Sequence, residues 1–193
     1  MNDLPENWRR KVFEILQRRE DAEALREAAL RARLKAWTAS MTATTVESFE
    51  AMGYCAAARG HQLERLPVSR SEYLSLDVIA FPKNAIGWCF PVAAVELENS
   101  RSDDQVAYSL WKVLCIRSDL RAVFCYREDA DEANALVRRL RDQVIGAMGL
   151  ERRVALEGDT LVVVGTRGEV ATFPYGFFKW WRLDKNTGRF GLM

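Results

Sequence analysis

Pro91-Val92-Ala93-Ala94-Val95-Glu96-Leu97-Glu98-Asn99 is the stretch on which the reading of this chain turns. Pro91 to Val95 is a short apolar run of the kind that forms a buried strand. It closes on two acids, and because strand side chains alternate with period 2, Glu96 and Glu98 share one face. A second strand-like run, Tyr73-Leu74-Ser75-Leu76-Asp77-Val78-Ile79-Ala80-Phe81, precedes it and carries Asp77. Pairing the two runs brings Asp77, Glu96 and Glu98 to one sheet edge. Carboxylates that close repel and raise one another's pKa unless a cation lies between them. A hard divalent cation with oxygen ligands, Mg²⁺ (or Mn²⁺), suits such a cluster.

Outward from this pair the chain alternates helical and strand patterns. Trp8, Val12, Ile15 and Leu16, then Leu25, Ala28, Ala29 and Ala32, recur at helical spacing, so residues 4 to about 38 read as helix, broken by Arg18-Arg19-Glu20-Asp21. Thr44-Thr45-Val46-Glu47 has capping-box spacing and predicts a helix start, with Gly60 as the stop. A short strand is expected within Gln62 to Pro67, then strands over Ser71–Phe81 and Trp88–Asn99, with Pro82-Lys83-Asn84-Ala85 as the turn between them. Ser102 and Gln105 have a second capping-box spacing and open a helix to about Arg117. Arg121–Tyr126 reads as a strand and Asp129–Met148 as a helix. The end is β-rich: Leu161–Val164, a turn at Gly165-Thr166-Arg167-Gly168, a strand over Ala171–Leu183 and a hairpin turn over Asp184–Gly188. This order predicts a mixed α/β (α+β) fold, a mixed central sheet flanked by helices. It divides into a helical arm (1–40), an α/β core (41–150) and a β-rich C-terminal extension packed on the core (151–193).

Bulk properties exclude several classes of function. The 193 residues are 49% hydrophobic and 28% charged with a net charge of +1, so no global field announces a nucleic-acid partner. Lysine occurs only at 11, 35, 83, 112, 179 and 185, so a phosphate-binding surface would be a local patch of arginine, and the Arg-rich N-terminal arm is one place for it. The longest apolar stretch, Ile86 to Val95, is too short to span a bilayer, and the N-terminus lacks a signal-peptide core, so a cytoplasmic protein without a membrane partner is expected. Cys55, Cys89, Cys115 and Cys125 form no CxxC pair and read as buried free thiols. His61, the only histidine, sits beside Gly60 in a turn, which argues against a Ser-His-Asp or Cys-His centre. Gly165-Thr166-Arg167-Gly168 has no Walker lysine and opens no helix, so it is not a phosphate loop.

With Asp77 and Glu96-Leu97-Glu98 in this element order, the segment from Thr44 to Tyr126 resembles the PD-(D/E)XK, or restriction endonuclease-like, nuclease superfamily. The resemblance implies a helix-strand-strand-strand-helix-strand core. An acid on the second strand and an acid-x-lysine on the third would form the metal site. Asp77 matches the first acid and Glu96 the second. Glu98 stands where lysine is usual, a replacement that some restriction enzymes of the superfamily also carry. The superfamily tolerates a lysine moved onto the helix after the third strand, and Lys112 is the residue available there. On the helical wheel, however, Lys112 lies nearly opposite Val106, Leu110, Val113 and Leu114. Members often add a glutamate from the first core helix, here Glu50 in preference to Glu47. The implied catalytic set is Asp77, Glu96, Glu98 and Lys112, with Asp77, Glu96, Glu98 and Glu50 on Mg²⁺ or Mn²⁺.

Two functions follow from the resemblance: a metal-dependent nuclease-like protein hydrolysing phosphodiester bonds, with DNA as partner, or a catalytically degenerate nuclease fold acting as a nucleic-acid- or protein-binding subunit. Cutting both strands of a duplex would call for a homodimer. The segment Phe177-Phe178-Lys179-Trp180-Trp181-Arg182 alternates aromatic and basic residues. One of its faces is expected in a core, and the other could stack bases or form a dimer interface.

Overall fold

A computed structural model describes residues 3–18, 25–28, 34–64, 66–68, 70 and 72–193. Eight consecutive residues, Leu120–Arg127, are all buried and form the middle strand, β4. Strands buried on both faces read as continuous rather than alternating patterns, and they need helices above and below. The chain meets that need in order: α1 (Leu4–Arg18), α2 (Leu34–Ala51), β1 (Tyr54–Ala58), β2 (Val78–Pro82), β3 (Ala93–Leu97), α3 (Asp103–Leu114), β4, α4 (Ala130–Leu140), α5 (Leu150–Val154), β5 (Asp159–Thr166), β6 (Phe178–Asp184) and β7 (Arg189–Leu192). The seven strands pair in sequence order in one sheet. β1, β2 and β3 form an antiparallel meander, β3, β4 and β5 run parallel, and β6 and β7 return antiparallel. The two parallel steps carry α3 and α4 as crossovers, which makes the sheet mixed and flanked by helices, as the sequence order predicts.

Alternation sorts the strands onto two cores. Ala56, Val78, Val95, Phe124, Val163 and Trp180 face α1 and α2. Ile79, Ala94, Val123, Cys125, Val162 and Trp181 face α3 and α4. The first core is aromatic and centred on Trp8, which stacks on Phe49 with ring centroids 5.1 Å apart and meets Phe124 and Trp180 edge-on. Trp8 Nε1 donates to Ser48 Oγ at 2.8 Å, and Ser48 Oγ donates to the Thr45 carbonyl at 2.7 Å. Thus α1 belongs to the same core as β4 and β6, and β5–β7 are the far half of the central sheet rather than a layer added to it.

Several elements differ from their sequence patterns for identifiable reasons. The threonines expected to open a helix at Thr44 lie inside α2. Thr45 donates its hydroxyl to the Met41 carbonyl four residues back, so its polar atom is satisfied without a cap. Ser102 makes no side-chain cap bond, and Gln105 is exposed. The strand expected from Ser71 begins only at Val78, because Tyr73–Ser75 form a 3₁₀ turn in which Leu74 and Ser75 have positive φ. The strand expected from Trp88 begins at Ala93. Ile86, Trp88 and Phe90 stand 95%, 76% and 71% exposed in the preceding loop. The final long strand begins at Phe178, after a 3₁₀ segment over Arg167–Thr172, while Gly165 and Thr166 lie within β5. Among the described residues of 62–67, the pairing is a single bridge, Leu63 with Arg70, rather than a strand. The four cysteines are thiols rather than disulfides; Cys125 alone is buried, and Cys115 is exposed. His61 is in a turn with Ala58, as expected. The break at residues 19–21, with Ala29, Ala32 and Ser71, lies outside the described residues. No described helix is long and apolar enough to cross a membrane.

The tail aromatics are used up by packing. Phe177, Phe178, Trp180 and Trp181 are all buried. Lys179 pairs with Glu169, and Arg182 with Asp3 and Asp159. The same Asp3 accepts the Glu6 amide at the head of α1, which ties the two chain ends together. That segment therefore offers no aromatic face for bases or for a second copy.

Because Trp8 joins α1, α2 and two strands, Trp8→Ala should cost about 3–5 kcal/mol, which a urea unfolding curve will measure. A loss below about 1 kcal/mol would mean that α1 contributes little to the fold.

Candidate active site

The register of β2 on β3 sets Val78 opposite Val95 and Ile79 opposite Ala94. One step further along, Asp77 faces Glu96 on the side of the sheet covered by α3. Like charges directly opposite on neighbouring strands are unfavourable unless something offsets them. Here the backbone and one lysine do so. The Asp77 amide donates to Glu96 Oε1 at 3.3 Å, and the Leu97 amide donates to Asp77 Oδ2 at 2.7 Å. Lys112 Nζ lies 2.7 Å from Glu96 Oε2 and also donates to the Ser75 carbonyl at 2.8 Å. The positive φ values of Leu74 and Ser75 turn the chain just before Asp77, at the carbonyl that receives Lys112.

Lys112 therefore reaches the acid pair despite its place on the helical wheel. The apolar stripe of α3 packs on the sheet as read, with Val106, Leu110 and Val113 fully buried. The four-carbon lysine stem spans from the flank of the helix to Glu96, and only 22% of the side chain stays exposed. A wheel gives the direction of Cβ and says nothing about the reach of Nζ.

Glu98 and Glu50 do not join. The Glu98 carboxylate accepts the Ser100 amide at 2.7 Å and the Ser109 hydroxyl at 3.3 Å, fastening the end of β3 to α3. Glu50 is exposed on α2, in the layer that covers the opposite face of the sheet, and Glu47 is exposed on the same helix. Among the described residues, no group of three or more His, Cys, Asp or Glu side chains converges where it could hold a metal. The expected four-carboxylate set thus contracts to Asp77 and Glu96, with Lys112. Asn99 donates to Thr38 Oγ1 on the α2 side and takes no part. Ser109, which the sequence reading passed over, is buried and bonded to Glu98. Its signal was a hydroxyl on the apolar stripe of α3.

Burial, reinforced by the Asp77 carboxylate, pushes the Glu96 carboxyl up to about 7, against the pull of Lys112. Burial likewise raises Asp77, opposed by the Leu97 amide and Lys112. The site thus combines a buried carboxyl, Glu96, pushed up to about 7, a half-buried one, Asp77, and the amino group of Lys112. Carboxyls tuned in this way are suited to general acid–base chemistry.

Comparison of the chain with protein-family models, with curated proteins and with solved structures finds no match.

A carboxyl whose pKa is higher in the folded protein than its unfolded value of 4.5 favours the fold while protonated, and that contribution fades as pH rises towards about 7. Metal-free protein should therefore lose stability over this interval, on the order of 2 kcal/mol from Glu96. Glu96→Gln should flatten the slope. Urea midpoints at pH 4.5, 6 and 7.5 check this, and parallel profiles for the two proteins would contradict the burial of a titrating Glu96.

Proposed function

We propose that this protein is a metal-dependent phosphodiesterase acting on nucleic acid, DNA in the first instance, with Asp77, Glu96 and Lys112 as its working residues. One observation carries the reading: a buried carboxylate, Glu96, and a half-buried one, Asp77, face each other across β2 and β3, and a lysine from the following helix touches Glu96. The element order α2-β1-β2-β3-α3-β4 supports it, because it follows the helix-strand-strand-strand-helix-strand order of the nuclease superfamily that the sequence resembles.

The donor set fits Mg²⁺ or Mn²⁺. Both carboxylates offer hard oxygen atoms, and magnesium draws one or two carboxylates from a protein and takes water and phosphate oxygens for the rest. A divalent cation beside the pair would offset the burial that raises both carboxyl groups. When bound, such an ion lowers the pKa of a ligated water and polarises a phosphoryl oxygen. Asp77 and Glu96 would hold it. Lys112, already tied to the Ser75 carbonyl, keeps a positive charge beside the acid pair. There it can orient an attacking water or face the phosphoryl group. Glu98 acts at one remove, by holding Ser109 of α3 against the end of β3.

A second reading has its own support. The absence, among the described residues, of a third metal-ligating side chain favours a degenerate fold that binds nucleic acid or protein without cutting.

Supercoiled plasmid and circular single-stranded DNA, incubated with Mg²⁺ or Mn²⁺, discriminate between the two. Wild type should cut at least one of them, Glu96→Ala should fall to background, and Lys112→Ala should lose roughly 10²- to 10⁴-fold in rate, the range of a proton-transfer or charge-stabilising group. Full activity in Glu96→Ala would remove the site. Tight binding by wild type with no cutting of any strand would leave the second reading.

A further inference from the structure

Because β3, β4 and β5 are parallel, their carboxyl ends lie at one end of the sheet, together with the start of the antiparallel β2. Asp77 and Glu96 occupy the β2 and β3 positions of that end. Beside them, at the ends of β4 and β5, opens a cleft of about 500 Å³ into which Arg101, Arg127 and Arg167 project, along with Asp103, Glu128 and Glu132. In open α/β sheets, ligands bind outside the carboxyl ends of the strands.

The charges in this cleft are not equally engaged. Arg127 is buried at its floor, where it donates to the Tyr126 carbonyl and pairs with Asp103 at 2.5 Å. Asp103 is also held by Arg139, at 3.2 Å. Glu132 accepts the Glu128 amide at 3.0 Å, within the cap of α4 that Asp129 completes. The guanidinium groups of Arg101 and Arg167 make no hydrogen bond or ion pair with any described residue. Arg101 belongs to the β3–α3 link, four residues past Leu97, and Arg167 directly follows β5. The backbone places Arg167 firmly: the amide of its neighbour Gly168 donates to the Glu128 carbonyl at 2.8 Å. The cleft therefore holds two uncommitted guanidiniums against one uncommitted carboxylate, Glu128, on its rim. At the same end the N-terminus of α3 has no side-chain cap. Guanidinium groups are suited to bidentate recognition of phosphate oxygens.

We propose that this cleft is a phosphate subsite, in which Arg101 and Arg167 grip one phosphate of the strand whose neighbouring linkage lies over Asp77 and Glu96. The proposal rests on the phosphodiesterase reading for the identity of its substrate. The phosphate is a strand's terminal monophosphate or an internal phosphodiester. Arg127 supports the floor and is not itself free to bind. The subsite would fix where along the strand the acid pair falls.

The test uses full-length protein carrying Glu96→Gln, so that nothing is cut, with and without Arg101→Gln and Arg167→Gln together. Neither guanidinium is bonded to a described residue, so the unfolding midpoint should not change. Fluorescent single-stranded oligonucleotides, 5′-phosphorylated or 5′-hydroxyl, are titrated by anisotropy between 50 and 200 mM salt. The double substitution should weaken binding about tenfold and lower the slope of log affinity against log salt by about 0.7, the value for one lost phosphate contact on a single strand. Loss confined to the 5′-phosphorylated oligonucleotide identifies a terminal phosphate, and equal loss for both identifies an internal one. Unchanged affinity and slope overturn the subsite and leave the cleavage reading standing. If the parent binds no oligonucleotide, pyrophosphate decides through thermal unfolding. A rise in midpoint that the double substitution abolishes keeps the phosphate site while removing the nucleic-acid reading. No rise, or a rise that survives the substitution, overturns the site.

Discussion

The pairing register of β2 on β3 is the constraint on which the candidate site depends. It is fixed by apolar side chains: Val78 opposite Val95 faces the aromatic core, and Ile79 opposite Ala94 faces α3. A slip of one residue would turn every one of these side chains to the wrong layer. Asp77 and Glu96 are the next pair out, so hydrophobic burial imposes their meeting even though their charges oppose it. Lys112 answers part of that opposition from α3, a helix placed by the same core through Val106, Leu110 and Val113. The acid pair is thus held by forces that do not depend on its own chemistry.

Such a site needs a fold able to carry an unfavourable element, because two facing carboxyls taken out of water work against stability even with a lysine beside one of them. The aromatic layer on the other face supplies the stability. Trp8, Phe49, Phe124 and Trp180 interlock across two helices and two strands, and the one polar atom of Trp8 is satisfied by Ser48. The two faces of one sheet therefore divide the labour. The α1–α2 side is aromatic and apolar, while the α3 side carries the charged groups at its strand ends.

Much of this was legible in the residues. The run ending at Glu96, the strand before it and the amphipathic pattern of α3 were enough for a mixed sheet with Asp77 beside Glu96, since periodicity reports which face a side chain takes. What remained hidden depends on distance rather than direction. Lys112 was placed off the sheet by its wheel angle, yet its stem closes the gap. Glu98 was correctly placed on the face of Glu96, yet local partners at Ser100 and Ser109 claim its carboxylate. Glu50 illustrates the opposite limit: a suitable residue type on a suitable helix, separated from the acid pair by the sheet itself. The hydroxyls of α2 misled for a related reason. Thr44 and Thr45 look like cap residues in sequence, but inside the helix Thr45 returns its bond to the carbonyl four residues back.

The two ends of the sheet differ in a way that bears on where function resides. At one end lie the Ile86–Phe90 loop and Arg121, whose guanidinium is spent on the carbonyls of Ile116 and Glu157. At the other end lie Asp77 and Glu96, opposed and destabilising, and Arg101 and Arg167, which have no partner among the described residues. Residues that break the local rules of charge pairing are expected at sites that serve a ligand rather than the fold. Acids and unpaired arginines gathered at the same strand ends have complementary needs. Lys112 offsets only part of the charge of the acid pair, and the two guanidinium groups have no anionic partner among the described residues, so the metal-bound phosphodiester we propose would answer both.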